Sequence, residues 1–419
     1  MKITGIRAYQ VDLPLHEGSY KWSGGKSVDV FDSTVVEIIT DEGVSGFGEA
    51  CPLGPAYLPS YAKGVRAGIE ELGPTLIGLD PTNILHVNRV MDHALRGHPY
   101  VKSPIDVACW DILGKDRDRP VHALIGGRLN DKIRAYTYLY PQPHQDMETF
   151  WTDADAAAES AVEAVSRGYT AVKFDPAGPY TLRGGHMPAM SDISTSVSFC
   201  KAIRAAVGDK ADLLFGTHGQ FSTAGAIRLA KAIEPYDPLW YEEPVPPDNI
   251  NEMAKVARAT FIPIATGERL TTKAEFAPIL RNGAATILQP ALGRSGGLWE
   301  TKKIAILAEA YNAQMAPHLY AGPVEWAANI HLAASIPNLL MAETIGTGGD
   351  FHMPLIKHSI EWDNGYIIAP QAPGLGIEFD EDLARAHPYT DTGLHLEMQE
   401  APCNYQDGNN FGGGAPARE

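Results

Sequence analysis

The sequence predicts an α/β chain: a (β/α)8 barrel of the TIM type, preceded by an N-terminal α+β capping domain and completed by the C-terminal segment. Three observations carry this expectation. Eight short apolar runs recur after Lys132, with amphipathic helical stretches such as AAAESAVEAVSRG, TAGAIRLAKAIEP and LWETKKIAILAEAYN between them. Together they occupy about 215 residues, the size of such a barrel. No G-x-G-x-x-G turn follows the first run, as a doubly wound nucleotide-binding sheet would favour. The full 419 residues also exceed one ordinary core, which leaves room for a second module.

The expected boundaries are 1–128 for the cap, 129–350 for the barrel and 351–419 for the returning segment. In the cap, residues 2–13 read as a strand. Val35–Thr40 and Ser45–Glu49 read as a hairpin around Asp41-Glu42-Gly43. A Gly-rich loop from Gly18 to Gly25 precedes that hairpin, and from about Tyr61 to Leu113 the pattern turns helical.

The barrel strands are expected at 133–140, 170–176, 212–219, 239–244, 262–268, 285–292, 314–320 and 339–345. The connection after the second, 177–192, is rich in Gly and Pro and holds Arg183 and His186; irregular stretches of that length are more often functional than decorative. The end of the chain, DGNNFGGGAPARE, reads as disordered.

Bulk properties narrow the function. Hydrophobic residues make up 44% and charged residues 20%, an ordinary globular composition. A net charge of −17 makes nucleic acid and anionic membranes poor partners. Cys51, Cys109, Cys200 and Cys403 form no close metal spacing and suggest reduced thiols. The start has no basic-then-apolar leader, and no apolar run reaches the ~20 residues a bilayer needs. The expectation is a soluble cytoplasmic protein.

In barrels of this kind the chemistry sits at the C-terminal ends of the strands. Polar residues gather there: Lys173 and Asp175 on strand two, His218 on three, Glu242 and Glu243 on four, Glu268 on five, His318 on seven and Glu343 on eight. Glu242 and Glu268 lie 26 residues apart, one β/α unit, so adjacent strands can aim both at one point. Alternation along a strand means that Glu242 and Glu243 should not both face inward, whereas Lys173 and Asp175 share a face. Converging carboxylates repel unless a cation separates them, and oxygen donors favour Mg²⁺, then Mn²⁺. Such an ion can stabilise an enediolate formed by removing a proton α to a carboxylate.

Several motifs then resemble one family. YEEP at 241–244, GER at 267–269, QPALGRSGG at 289–297, APHLYAGP at 316–323 and AETI at 342–345 are similar to successive strand signatures of the mandelate racemase subgroup of the enolase superfamily. KSPIDVACWDILGK at 102–115 and APGLGIEFD at 372–380 resemble its cap-to-barrel helix and its return segment. The resemblance implies Mg²⁺-assisted abstraction of an α-proton and a symmetric homo-oligomer. It assigns Glu242 and Glu268 to the second and third metal ligands, His318 to general acid/base work, and Glu343 to the substrate carboxylate.

Two departures stand beside these matches. The family's first, acidic ligand on strand three falls on Gly216, and the strand-six Asp that orients the histidine falls on Ala291. Asp175 is therefore the candidate replacement ligand. His218 is a second ligand candidate or a second acid/base group, and Lys173 either stabilises the enediolate or pairs with Asp175. Tyr20, Lys21, Trp22 and the loop from Cys51 to Tyr57 are the candidates for closing over the substrate. The cap resembles hydroxyproline dehydratases and proline-betaine racemases, whereas the barrel resembles acid-sugar dehydratases. The expected activity is a Mg²⁺-dependent dehydratase, a carbon–oxygen lyase acting on a small hydroxy acid, with a sugar acid foremost. A racemase, epimerase or cycloisomerase is the second reading, and a diverged non-catalytic barrel the third.

Overall fold

The computed structural model describes residues 1–14, 20–22, 26–28, 30–54, 57–146, 149–177, 185–344, 353–357, 360–386 and 397–398. Arg183 and the terminal DGNNFGGGAPARE lie outside these residues.

Eight parallel strands form the barrel: Lys132–Tyr138, Ala171–Phe174, Asp212–Gly216, Trp240–Glu242, Ile264–Thr266, Ile287–Leu288, Gln314–Met315 and Ala342–Thr344. Each pairs with the next up to the seventh, and the eighth pairs with the first, Glu343 opposite Tyr136. A single bridge, Met315 to Leu339, joins the seventh to the segment entering the eighth, so the ring closes. Strands buried on both faces read as apolar runs rather than alternating ones, which is why AVKF and WYE stood out. Eight buried residues, one from or beside each strand, fill the interior: Tyr136, Ala171, Leu214, Trp240, Ala265, Ile287, Ala316 and Met341. Tyr136 meets Trp240 edge-on at 5.2 Å, and the three alanines make room for these rings. This layer is the floor beneath the strand ends.

The cap is a three-stranded antiparallel sheet with Ile3–Pro14, Val30–Thr40 and Ser45–Ala50 in spatial order, packed on helices Ala62–Leu76, Ile84–Ala94 and Pro99–Asp116. Gly46 and Gly48 let the sheet lie directly on the third helix, where a Cβ would fall 2.2 Å from the Ala108 carbonyl and 2.0 Å from that of Pro104. The segment 360–386 returns as expected. Its hairpin, Trp362–Asp363 with Tyr366–Ile368, extends barrel strand one, and Glu381 accepts a 2.7 Å hydrogen bond from Tyr9 in the cap.

The expectation for Gly18–Gly25 needs correction, because the backbone there is not simply a loop. Tyr20–Trp22 pairs antiparallel with Lys26–Val28, and Glu397–Met398 pairs with Lys26 and Ser27. The side chains of Tyr20, Lys21 and Trp22 lie outside the described ones.

A buried carboxylate clamps cap to barrel. Glu49 accepts from Gly322 N (3.0 Å), Val324 N (3.0 Å) and Glu325 N (3.1 Å), the first amides of helix Pro323–Ser335. The cap thereby supplies the N-terminal acceptor that this helix lacks in its own sequence. A Cβ at Gly322 would lie 2.1 Å from the Glu49 oxygen, so a larger residue there would have to displace this carboxylate.

Candidate active site

The strand ends bring Lys173, Asp175, His218, Glu242, Glu268, His318 and Glu343 together at one buried mouth. Two of the three residues that follow strand three, Thr217 and Gly219, are fixed to strand four. Thr217 Oγ1 donates to the carbonyls of Glu242 (2.9 Å) and Glu243 (2.6 Å), and Gly219 N donates to Glu243 O (2.7 Å). This lattice holds His218 at φ 52 and Glu243 at φ 39, left-handed conformations that cost on the order of 1–3 kcal/mol each. Strain of this kind, locked by neighbours, aims the His218 ring into the mouth.

His218 Nδ1 lies 2.5 Å from Asp175 Oδ2. A carboxylate only accepts, so Nδ1 carries the proton and Nε2 is the basic nitrogen. His318 is arranged in the opposite sense. Its Nδ1 lies 3.0 Å from Arg294 Nη2, and a guanidinium only donates. Nδ1 therefore accepts, and the neutral ring carries its proton on Nε2, which faces Glu268 Oε2 at 3.3 Å and Glu343 Oε2 at 3.8 Å. Burial holds the His318 pKa well below its ordinary value; Glu268 opposes that shift and Arg294 reinforces it.

Three glutamates and one lysine complete the mouth. Lys173 Nζ sits 2.6 Å from Glu242 Oε1 and 3.7 Å from Glu343 Oε1. Burial works against its charge, but Glu242, Glu343 and Glu268 outweigh it and keep the ammonium protonated. The other oxygen of Glu242 accepts from Gln289 Nε2 at 2.7 Å. Burial raises Glu343 to about 7, although Lys173 and the Leu319 amide at 2.7 Å pull the other way. Glu268 is held below the usual carboxylate range, because His318, His218, Lys173 and the Tyr57 hydroxyl together outweigh burial. Tyr57 reaches in from the cap, donating to Glu268, with its ring 6.0 Å from that of His218 and beneath the Arg269 guanidinium. The partly open cavity between Tyr57, Tyr138, Tyr320 and these charged groups has about 30 Å³ of space for water.

Several expectations change. Asp175 is paired with His218 rather than set beside Glu242 and Glu268. Among the described residues no three His, Cys, Asp or Glu side chains are grouped as a metal ion requires. The donor chemistry gives the reason: Glu242 is taken by Lys173 and Gln289, Glu268 by Tyr57 and His318, and Asp175 by His218. The residues as arranged do not fit the Mg²⁺ or Mn²⁺ site that the resemblance implies. Lys173 pairs with Glu242 rather than with Asp175. Glu242 and Glu243 are both buried, yet they part as alternation suggested: the left-handed turn at Glu243 sends its carboxylate to Arg269 Nε at 2.7 Å, away from the mouth that Glu242 joins. His186 is described away from this network, its backbone bridging Phe221.

Sequence reasoning missed Arg294 and Gln289. Both stand inside QPALGRSGG, and Arg294 lies three residues beyond Ala291, on the helical turn Leu292–Ser295. The backbone of Ala291 bridges His318, and the polar group that meets the His318 ring comes from the next turn, at Arg294.

Comparison with known proteins agrees with this architecture. Residues 25–126 match the mandelate racemase/muconate lactonizing enzyme N-terminal domain, and residues 156–383 match the enolase C-terminal domain-like family. A cis-3-hydroxy-L-proline dehydratase of Roseibium aggregatum is 35% identical over 379 residues, covering 90% of this chain and 96% of that protein. A D-xylonate dehydratase of Haloferax volcanii is 33% identical over 400 residues, covering 92% and 89%. A solved mandelate racemase/muconate lactonizing enzyme from Sulfitobacter sp. superposes with a TM-score of 0.87 at 60% identity, covering 97% of this chain and all of that one. On fold, strand-end chemistry and these matches together, the chain belongs to the mandelate racemase subgroup of the enolase superfamily.

Proposed function

We propose that this protein is a hydro-lyase that removes water from a 2,3-dihydroxy carboxylic acid, with a sugar acid as the substrate class. The observation that carries the reading is the pair of histidines with opposite Nδ1 partners, His218 on Asp175 and His318 on Arg294. Dehydration needs a base for the α-proton and separate groups for the charge and the leaving hydroxyl. His218 Nε2 takes the α-proton, and the imidazolium that forms rests against Asp175. The electron pair moves into the substrate carboxylate, where the Lys173 ammonium and the His318 Nε2–H meet the developing negative charge. Glu343, whose carboxyl titrates near 7, gives its proton to the departing hydroxyl, so water leaves and an enol remains. The enol becomes a 2-keto acid, and His218 returns its proton to the solvent or to Glu343.

The relatives named as dehydratases of cis-3-hydroxy-L-proline and D-xylonate support the reaction type and bracket the substrates to try. Tyr57, which reaches this cavity from the cap, is the described residue placed to adjust when a sugar acid binds. Racemisation is disfavoured by Arg294, which denies His318 the basic Nε2 that a second-face base requires.

The test is incubation with a panel of aldonic and aldaric acids and hydroxyprolines, following 2-keto acid by semicarbazide trapping. Keto acid from at least one member supports the reading. Inverted but intact hydroxy acid would establish an isomerase instead, and no conversion of any member would reject both.

A further inference from the structure

The carboxylate cluster already contains a cation. Lys173 Nζ stands between Glu242 Oε1 at 2.6 Å and Glu343 Oε1 at 3.7 Å, over the Tyr138 ring at 5.3 Å. Its stem runs past Gly216, the residue that ends strand three. A Cβ on Gly216 would lie 3.5 Å from Lys173 Cε and 3.4 Å from the Tyr138 hydroxyl, ordinary contact distances. The carboxyl beyond that Cβ, however, would have to share the space through which the lysine stem runs. The residue whose place a first metal ligand would take and the lysine that reaches the other carboxylates are thus alternatives. The loss at Gly216 and the position of Lys173 are one feature.

We infer that Lys173 is the resident cation of this barrel, doing by its ammonium the charge-neutralising work that the family resemblance assigns to Mg²⁺, with Gly216 as the residue that admits it. The chemical meaning of this inference rests on the proposed reading of the site, since a stabilising cation matters where a carboxylate is turned into an enediolate. The physical claim does not. Carboxylates this close need a counter-charge in a buried site. One monovalent ammonium on a protein tether supplies it, and the same tether keeps a hydrated divalent ion from gathering Glu242 and Glu268 around itself.

The experiment is a titration of the purified full chain, after dialysis against chelator, with MgCl₂ and MnCl₂. The readouts are calorimetry, Mn²⁺ electron paramagnetic resonance and the thermal midpoint. Glu242→Gln and the double variant Gly216→Asp/Lys173→Met are run alongside. The parent is expected to show no stoichiometric binding and no metal-dependent rise in midpoint up to about 5 mM, far above the affinities that hold structural metals. The double variant, freed of the lysine and given a third carboxylate, is expected to gain one binding site and a rise of about 2 °C or more in either metal. One equivalent bound by the parent and lost in Glu242→Gln would overturn the inference, whatever the double variant does. A double variant that is folded by circular dichroism and still binds nothing would overturn the exchange of Gly216 for Lys173. Neither result depends on turnover: a metal-binding parent leaves the dehydratase reading standing, and an inert panel of acids leaves this one standing.

Discussion

Two sides of one barrel mouth carry the same side chain in opposite states. After strand three, His218 leans on a carboxylate; after strand seven, four strands away around the ring, His318 leans on a guanidinium. Both rings are buried and both line the same cavity. Their Nδ1 partners differ, and that partner sets which nitrogen faces the cavity as acceptor and which as donor. A histidine's role here is decided by a neighbour that is remote in sequence, not by its place on a strand.

The largest expected effect breaks the basic side. With a hydroxy acid that the parent dehydrates, His218→Gln should lower kcat by about 10³–10⁴, in the upper range for loss of a general base. Asp175→Asn should cost about 10²–10³, because an amide no longer dictates which nitrogen is protonated. Retained metal-free folding, checked by circular dichroism, separates both from collapse of the site.

On the donor side, Arg294→Met should cost about tenfold in kcat and relax the lock on the ring. The Arg294 charge lowers the His318 pKa beside the larger effect of burial, so its removal should also move any acidic limb of the pH–rate profile upward. An unchanged profile together with unchanged kcat would place His318 outside the reaction.

The smallest effect is one of stability. The Glu343 pKa is raised by burial from 4.5 to about 7, so the folded chain holds this proton more tightly than the unfolded chain does. Its contribution is fully present below 4.5 and is lost as pH rises through about 7. Against the neutral isostere Glu343→Gln, the parent's thermal midpoint should fall progressively between those limits and then level off. A gap that opens on acidification instead would reverse the assigned sign.

Much of this was legible in the sequence. Parallel strands buried on both faces leave continuous apolar runs; seven of the eight strands lie within the runs read for them, and the first begins one residue earlier, at Lys132. The polar residues that end those runs are the ones that meet at the mouth. What could not be read was partnership. Asp175 and His218 are 43 residues apart, and nothing in alternation decides whether Asp175 turns to its neighbour's histidine or toward Glu242. Lys173 has several carboxylates within reach, and its spacing in the chain does not choose among them. Arg294 escaped because its turn lies past the strand end where the chemistry was sought. The pairing of Tyr20–Trp22 escaped because glycines on both sides read as a loop, while the pairing strand, Lys26–Val28, is only three residues long.

The two-sided account is tested most directly by exchange of the α-proton in deuterated water, followed by NMR on a hydroxy acid that the protein binds. The measurement compares the parent with His218→Asn and His318→Asn. If His218 is the base and His318 the donor, exchange disappears in His218→Asn. In His318→Asn it persists, within about tenfold of the parent, while keto acid formation falls by about 10²-fold. Exchange that survives in His218→Asn and vanishes in His318→Asn would contradict the account, because the base would then be the ring held by Arg294.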